Sequence, residues 1–284
     1  MTKFNDYRLK PFLLEAVEKL GFTEPTAIQK EMIPQIMSGN SAIGQSHTGT
    51  GKTHSFIIPI VERIDVSKQE VQAVIAAPTR ELGTQIFNEI QKLIGDSGIE
   101  VKSFIGGTDK QRSINKLKTQ PHIVIGTPGR LKDLVNENAL LVHTAKILVV
   151  DEADLAFDMG FIEEIDQVAG KMRDDLEMYV LSATIPEKLK PFLKKYMANP
   201  AHIKIGDKRP AAEGLDFYLV PVRSKKKVER LQEIMKIINP YLAIIFVNTR
   251  TNADYIAEEL SKNGIRVGKI HGDLAQRERV KMMK

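Results

Sequence analysis

Apolar and polar positions follow two different periods along this chain, and the switches between them outline its architecture. Pro11 to Leu20 carries apolar residues at helical spacing and stops at Gly21. The turn Gly21-Phe22-Thr23-Glu24-Pro25-Thr26-Ala27-Ile28-Gln29 leads into a second short helix through Ile33 and Ile36. Short apolar runs then alternate with helical patterns: Ser41 to Gly44, Val71 to Ala77, Val101 to Ile105, His122 to Gly126, Ile147 to Val150, Met178 to Leu181 and His202 to Ile205. Continuous apolar runs of this length predict strands buried on both faces. The expected fold is therefore α/β, a parallel sheet with helices on both faces.

From Gly206 to Gly214 the composition turns to Gly, Pro, Ala and charge, which predicts a linker. A second alternation follows: strand Leu215 to Val220, helix Lys225 to Ile238, strand Leu242 to Val247, helix Thr251 to Lys262, strand Ile265 to Ile270, and a last helix still running at Lys284. Three strands and an open helix do not close an α/β domain, so the second domain is expected to be truncated. The expected organisation is a first domain over 1–205, a linker over 206–214 and part of a second domain over 215–284.

Composition narrows the class. The 284 residues, 42% of them hydrophobic, suffice for one α/β domain of about 200 residues and part of another. No apolar run approaches the roughly 18 residues that span a bilayer, and Met1 to Lys10 is too polar for a secretory signal. The expected setting is cytoplasmic, without a membrane partner. Absence of cysteine excludes disulfides, thiolate metal sites and thiol catalysis. From Gly206 onward 16 basic residues face 10 acidic ones, against 25 and 26 before it. That excess suits a polyanion and equally suits a solvated face.

Ligands of such sheets sit beyond the carboxyl ends of the strands, which makes the residues after each run the informative ones. Gly44-Gln45-Ser46-His47-Thr48-Gly49-Thr50-Gly51-Lys52-Thr53 separates a strand from a helix whose apolar positions are Phe56, Ile57, Ile60 and Ile64. Glycines in such a loop let backbone N–H groups converge on phosphate oxygens, and the helix N-terminus adds its dipole. Thr48, Gly49, Thr50 and Gly51 would cradle a triphosphate, Lys52 would reach its outer phosphates, and the Thr53 hydroxyl would ligate Mg²⁺. Ser46 stands where the strict pattern has glycine, so an ordinary Gly-rich turn is the alternative. Asp151 and Glu152 follow a four-residue apolar strand. There Asp151 would hold Mg²⁺, partly through water, and Glu152 would handle the attacking water; two acids in a solvated turn are the bland reading. A Gln29 amide would accept from adenine N6 and donate to N7, favouring ATP over GTP, with Phe22 stacked on the base. A core role for Phe22 and a surface role for Gln29 are the alternatives. His54, His122, His143, His202 and His271 show no metal-ligand spacing.

These elements together resemble the DEAD-box ATP-dependent RNA helicases of superfamily two. The resemblance runs in order through Phe12 as the isolated upstream aromatic, Gly21 to Gln29, Ser46 to Thr53, Pro78-Thr79-Arg80-Glu81-Leu82, Gly106-Gly107, Thr127 to Arg130, Asp151-Glu152-Ala153-Asp154 and Ser182-Ala183-Thr184. Beyond the linker it continues with Ile245 to Arg250 and His271-Gly272-Asp273, with Gln276 and Arg279. The family implies two RecA-like domains that close around ATP and single-stranded RNA, here with the second domain truncated. Arg80, Gly107, Thr127, Gly129 and Arg130 would then hold the RNA sugar-phosphate backbone. Asp154, Ser182 and Thr184 would couple the nucleotide site to the RNA site. The implied activity is unwinding of RNA duplexes coupled to ATP hydrolysis by a monomer with ATP and Mg²⁺. This chain, lacking the family's later arginine-rich segment, would bind ATP and turn it over poorly. An ATP-dependent RNA clamp or assembly platform uses the same motifs and stays open, and a DNA translocase is disfavoured by the glutamine motif. Gly83 departs from the family's usual alanine, and Ser46-His47 from its usual Ala-Gln.

Overall fold

The computed structural model describes residues 2–47, 49–106, 109–206, 216–222, 227–274 and 276–282, without the side chains of 276 and 280. Thr48, Gly107 and nearly all of the expected linker lie outside the described residues. The chain divides into two compact units, Met1–Pro210 and Ala211–Lys284.

The first unit opens with two helices whose boundaries follow from local chemistry. Helix α1 (Pro11–Lys19) starts with proline, whose missing N–H costs nothing at a helix start, and Gly21 turns away at φ 77°. Helix α2 (Ala27–Met37) follows Thr26, whose backbone N–H donates to Gln29 Oε1 at 2.9 Å. Then come β1 (Ala42–Gln45), α3 (Lys52–Arg63), β2 (Ala73–Ala76), α4 (Arg80–Ile94), β3 (Val101–Phe104) and α5 (Lys110–Lys116). Next are β4 (Ile123–Gly126), α6 (Pro128–Asn136), β5 (Ile147–Val150), α7 (Ala153–Asp158), α8 (Ile162–Ala169), β6 (Glu177–Ser182), α9 (Lys190–Tyr196) and β7 (Ala201–Lys204). All seven strands expected in this region are present. They pair in parallel in the order β3-β4-β2-β5-β6-β1-β7.

Both faces of the sheet are covered. Ala73, Ile75, Ile123, Ile125, Val149, Tyr179 and Leu181 point into a core shared with α1 to α4. Their strand neighbours Val74, Ala76, Val124, Leu148, Val150, Met178 and Val180 point into a second core with α6 to α9. This is why the strands read as unbroken apolar runs rather than alternating ones.

At the amino end of the sheet a partly buried charge network centred on Glu177 ties α3 to β6. Arg63 donates from Nη1 to Glu177 Oε2 at 2.5 Å and from Nη2 to Oε1 at 2.8 Å, with a third bond to the Ile36 carbonyl at 2.7 Å. The Tyr179 hydroxyl donates to Glu177 Oε2 at 2.6 Å, and Lys146 Nζ lies 2.9 Å from Oε1. Burial opposes ionisation of Glu177, which is 5% exposed, but these donors hold its carboxyl below the usual range.

The second unit corrects the sequence reading. Helices α10 (Lys227–Ile238), α11 (Arg250–Lys262) and α12 (Gln276–Met282) form where helical periods stood. The strands expected at Leu215 to Val220, Leu242 to Val247 and Ile265 to Ile270 do not form among the described residues. A parallel strand depends on ladder partners and on cover over both faces. Here Leu219, Leu242 and Phe246 are 96%, 78% and 91% exposed, so the burial that such apolar runs predict is absent at these positions. Two motif segments of this unit do meet: Arg250 forms an ion pair with Asp273, and Thr249 caps α11 by accepting from the Asn252 N–H at 3.2 Å.

Candidate nucleotide and RNA site

Strand order decides which motifs become neighbours. Across β5-β6-β1, three consecutive strands carry Asp151-Glu152, Ser182 and the phosphate-type loop to adjacent points of one sheet edge, with Gln45 in register with Ser182. Across β3-β4-β2, the ends of three more bring Gly106, the Thr127 to Arg130 segment and Arg80 together on the same edge.

The loop after β1 is built on conformations that glycine supplies. Gly49 and Gly51 have φ of 79° and 89°, and Gly51 caps α3. A Cβ on Gly51 would lie 2.6 Å from Gln29 Nε2 and 3.0 Å from Thr26 Oγ1, whereas one on Gly49 would meet open space. Lys52 is 9% exposed and donates from Nζ to the Ser46 carbonyl at 2.5 Å, folding its charge back across the loop. The Ser46 hydroxyl, buried, pairs with that of Thr50 at 2.8 Å, and Thr50 also donates to the His47 carbonyl at 2.9 Å. Serine at this place therefore closes the base of the loop, a role glycine does not fill. The His47 side chain is exposed, and Thr53 is half-buried on the first turn of α3.

Gln29 is 4% exposed, not a surface residue. Its Oε1 accepts from Thr26 N–H and its Nε2 donates to the Gly51 carbonyl at 3.1 Å, joining α2 to the loop. An amide has two lone pairs on oxygen and two protons on nitrogen, so among the described residues one of each stays unused. Phe22 is half-buried, edge-on to the His54 ring at 4.7 Å and 77°. Burial pushes the His54 imidazole below its usual range against the pull of Glu89, 3.3 Å away, so it is neutral at pH 7.

Asp151 is 3% exposed at the end of β5. Burial first, and the charge of Glu152 second, push its carboxyl up to about 7, while the Glu152 N–H and Lys52 pull the other way. Glu152 adopts the left-handed conformation, φ 48° and ψ 54°, at the start of α7. For a non-glycine residue that costs about 1 kcal/mol or more, a strain typical of functional sites. Asp154 then lies against the β6 end. Its N–H donates to Ser182 Oγ at 3.1 Å, and Thr184 donates to its Oδ2 from both backbone and hydroxyl at 2.9 Å. Burial raises this carboxyl, but the bonds from Thr184 and Ser182 outweigh it and hold it below its ordinary range.

Two residues outside the sequence candidates complete the frame. Gln45 Nε2 donates to the Ala183 carbonyl at 3.0 Å and the Ser46 N–H to the Ser182 carbonyl at 3.1 Å, so the loop and the Ser182 to Thr184 segment are directly bonded. Ser113, buried on α5, accepts from Arg130 Nη1 at 3.1 Å. A polar residue at the end of a buried strand was the only signal for Gln45, and none marked Ser113. On the β3-β4-β2 side, the Gly106 N–H donates to Thr127 Oγ1 at 3.2 Å, and a Cβ on Gly106 would lie 3.5 Å from Arg80 Nε. Arg80, Gly106 and Thr127 thus gather at one place, while Arg130, on the first turn of α6, reaches Ser113, and a Cβ on Gly129 would meet open space. Among the described residues no group of three His, Asp or Glu is arranged to hold a metal ion, and no helix is long and apolar enough to cross a membrane.

Known proteins match this sequence and this fold. The family model described as DEAD/DEAH box helicase matches residues 26–192, and that described as helicase conserved C-terminal domain matches 226–284. The DEAD-box ATP-dependent RNA helicase CshB of Bacillus cereus is 54% identical over 285 residues, covering 99% of this chain and 65% of its own length. CshB of Bacillus subtilis is 53% identical, covering 100% of this chain and 65% of its own length. The chain thus spans about two thirds of these relatives, 65% of each. Among solved structures, Saccharomyces cerevisiae Dbp5 bound to RNA and ADP BeF3 matches with a TM-score of 0.88 at 25% identity, over 100% of this chain and 72% of that one. A DEAD box protein from the hyperthermophile Methanococcus jannaschii matches at 0.70 and 31% identity, over 100% and 76%. With the seven-stranded parallel sheet and the loop of Ser46 to Thr53 at its edge, these matches establish that the chain belongs to the DEAD/DEAH box helicase family.

Proposed function

We propose that this chain binds ATP with Mg²⁺ and single-stranded RNA, and that the protein uses ATP hydrolysis to separate RNA duplexes locally. The observation that carries the reading is the β5-β6-β1 neighbourhood, in which loop, acids and the Ser182 to Thr184 segment share hydrogen bonds. The names of the curated relatives and the RNA-bound Dbp5 support it.

Lys52 leaves the Ser46 carbonyl for the outer phosphates, and the N–H groups of Thr48 to Gly51 cradle them. The Thr53 hydroxyl and Asp151 are the groups fitted to hold Mg²⁺, in part through water. A buried carboxyl pushed up to about 7 lacks a sufficient cationic partner, which suits it to a divalent ion. When bound, magnesium neutralises charge on the transferring phosphates. Glu152 orients the attacking water or takes its proton. Gln29 reads adenine with its remaining proton and lone pair, and Phe22 stacks on the base. Arg80, Gly107, Thr127, Gly129 and Arg130 grip sugar and phosphate without reading bases. Asp154, Ser182 and Thr184 carry the state of one site to the other.

ATPase stimulation by RNA and by DNA of identical sequence tests this reading. Stimulation by RNA well above DNA is expected, and equal stimulation by both contradicts it.

A further inference from the structure

We propose that His54 is a positioning residue for the base end of the nucleotide site, acting by fixing the ring of Phe22. The inference rests on the reading of Phe22 as the residue that stacks on adenine. Nothing in the loop pattern asks for an aromatic residue at position 54. The position follows Thr53 on the first turn of α3, so the residue that backs Phe22 sits on the same rigid element as the phosphate-binding Lys52 and Thr53.

The geometry is that of a backing. The Phe22 ring meets the imidazole at a centroid distance of 4.7 Å and 77°, the edge-to-face arrangement that aromatic quadrupoles favour. On another side it leans on Phe4, which is 2% exposed, at 6.4 Å. The imidazole is confined by burial rather than by a hydrogen bond: its side chain is 14% exposed, and Nε2 lies 3.3 Å from a Glu89 oxygen without bonding to it, while the other Glu89 oxygen accepts from Lys92 at 2.6 Å. Phe22 follows Gly21 in a turn, where no helix or strand fixes its side chain. Without an aromatic wall at position 54, the ring would sample orientations that do not stack, and each binding event would carry the cost of ordering it.

The effect must therefore depend on the base. A double-mutant cycle on this chain, with affinity measured for ATP-Mg²⁺ and for inorganic tripolyphosphate-Mg²⁺, isolates it. His54→Ala is expected to weaken ATP about three- to tenfold, the size of one aromatic pair, and to leave tripolyphosphate unchanged. His54→Phe, which keeps a ring, restores ATP affinity. Phe22→Ala weakens ATP, and adding His54→Ala to it weakens ATP no further. Unaltered ATP affinity in a folded His54→Ala, or equal loss of both ligands, overturns the positioning role while Phe22→Ala still reports on stacking. Wild-type ATP affinity in Phe22→Ala overturns the stacking reading and this inference with it.

Discussion

Thr184 gives both of its hydrogen-bond donors to one oxygen of Asp154, the backbone N–H and the hydroxyl each reaching Oδ2 at 2.9 Å. Since the Asp154 N–H binds Ser182 Oγ, and Ser182 Oγ–H in turn donates to the Thr184 carbonyl at 2.5 Å, the two motif segments close a ring of bonds. A change at the β6 end is felt at the start of α7 through these contacts. Thr184→Val removes the hydroxyl and keeps the shape. Because Thr184 is exposed, the stability loss should stay under about 1 kcal/mol. ATP affinity should persist while RNA-stimulated turnover in the two-domain protein falls, which parallel titration and ATPase measurements would check.

Gly49 and Gly51 separate strain from collision. Both have positive φ, but only at Gly51 does an added Cβ run into Gln29 and Thr26. Gly49→Ala should cost about 1 kcal/mol of backbone strain and leave the loop's neighbours in place. Gly51→Ala should cost more, about 2–3 kcal/mol, and displace the Gln29 amide. Thermal unfolding of the two variants gives the order directly.

Glu152→Gln keeps the left-handed backbone position and removes the carboxylate. The variant is expected to bind ATP-Mg²⁺ like the parent and to lose general-base assistance, worth about 10² to 10⁴ in rate. An unaltered single-turnover rate would reject Glu152 as the group that handles water.

The Arg63-Glu177 network predicts an acid-sensitive contribution to stability. The native Glu177 carboxyl lies below its ordinary range, so on acidification the unfolded chain takes up its proton first. This group's stabilisation is thus complete above the unfolded value of about 4.3 and is lost as pH falls through the lower native value. Glu177→Gln, which leaves the half-buried Arg63 without its counter-charge, should cost about 2 kcal/mol at pH 7. The gap to the parent should narrow below about pH 4, as denaturant melts at several pH values would record.

Legibility differed between parts of the molecule for identifiable reasons. Strands β2, β4, β5 and β6 could be read because they are buried on both faces, β3 and β7 at the sheet edges only from shorter apolar stretches interrupted by polar residues, and the loop of Ser46 to Thr53 because its residues are contiguous. Asp151 and Glu152 were visible as polar residues ending a buried strand. The bond from Gln45 to Ala183 joins positions 138 residues apart and depends on β1 lying beside β6, which no local pattern encodes. The contacts of His54 with Phe22 and of Ser113 with Arg130 are hidden for the same reason. The apolar runs of the second unit misled because hydrophobicity alone does not supply ladder partners.

Under the proposed function, Lys52 and its loop form a nucleotide site. Calorimetric titration of ATP-Mg²⁺ into this chain and into Lys52→Ala is the decisive test. Lys52 is buried and, among the described residues, bonds to the Ser46 carbonyl, which it must release, so its loss should weaken binding by about two orders of magnitude or more. Equal affinity of the folded variant and the parent would contradict the account.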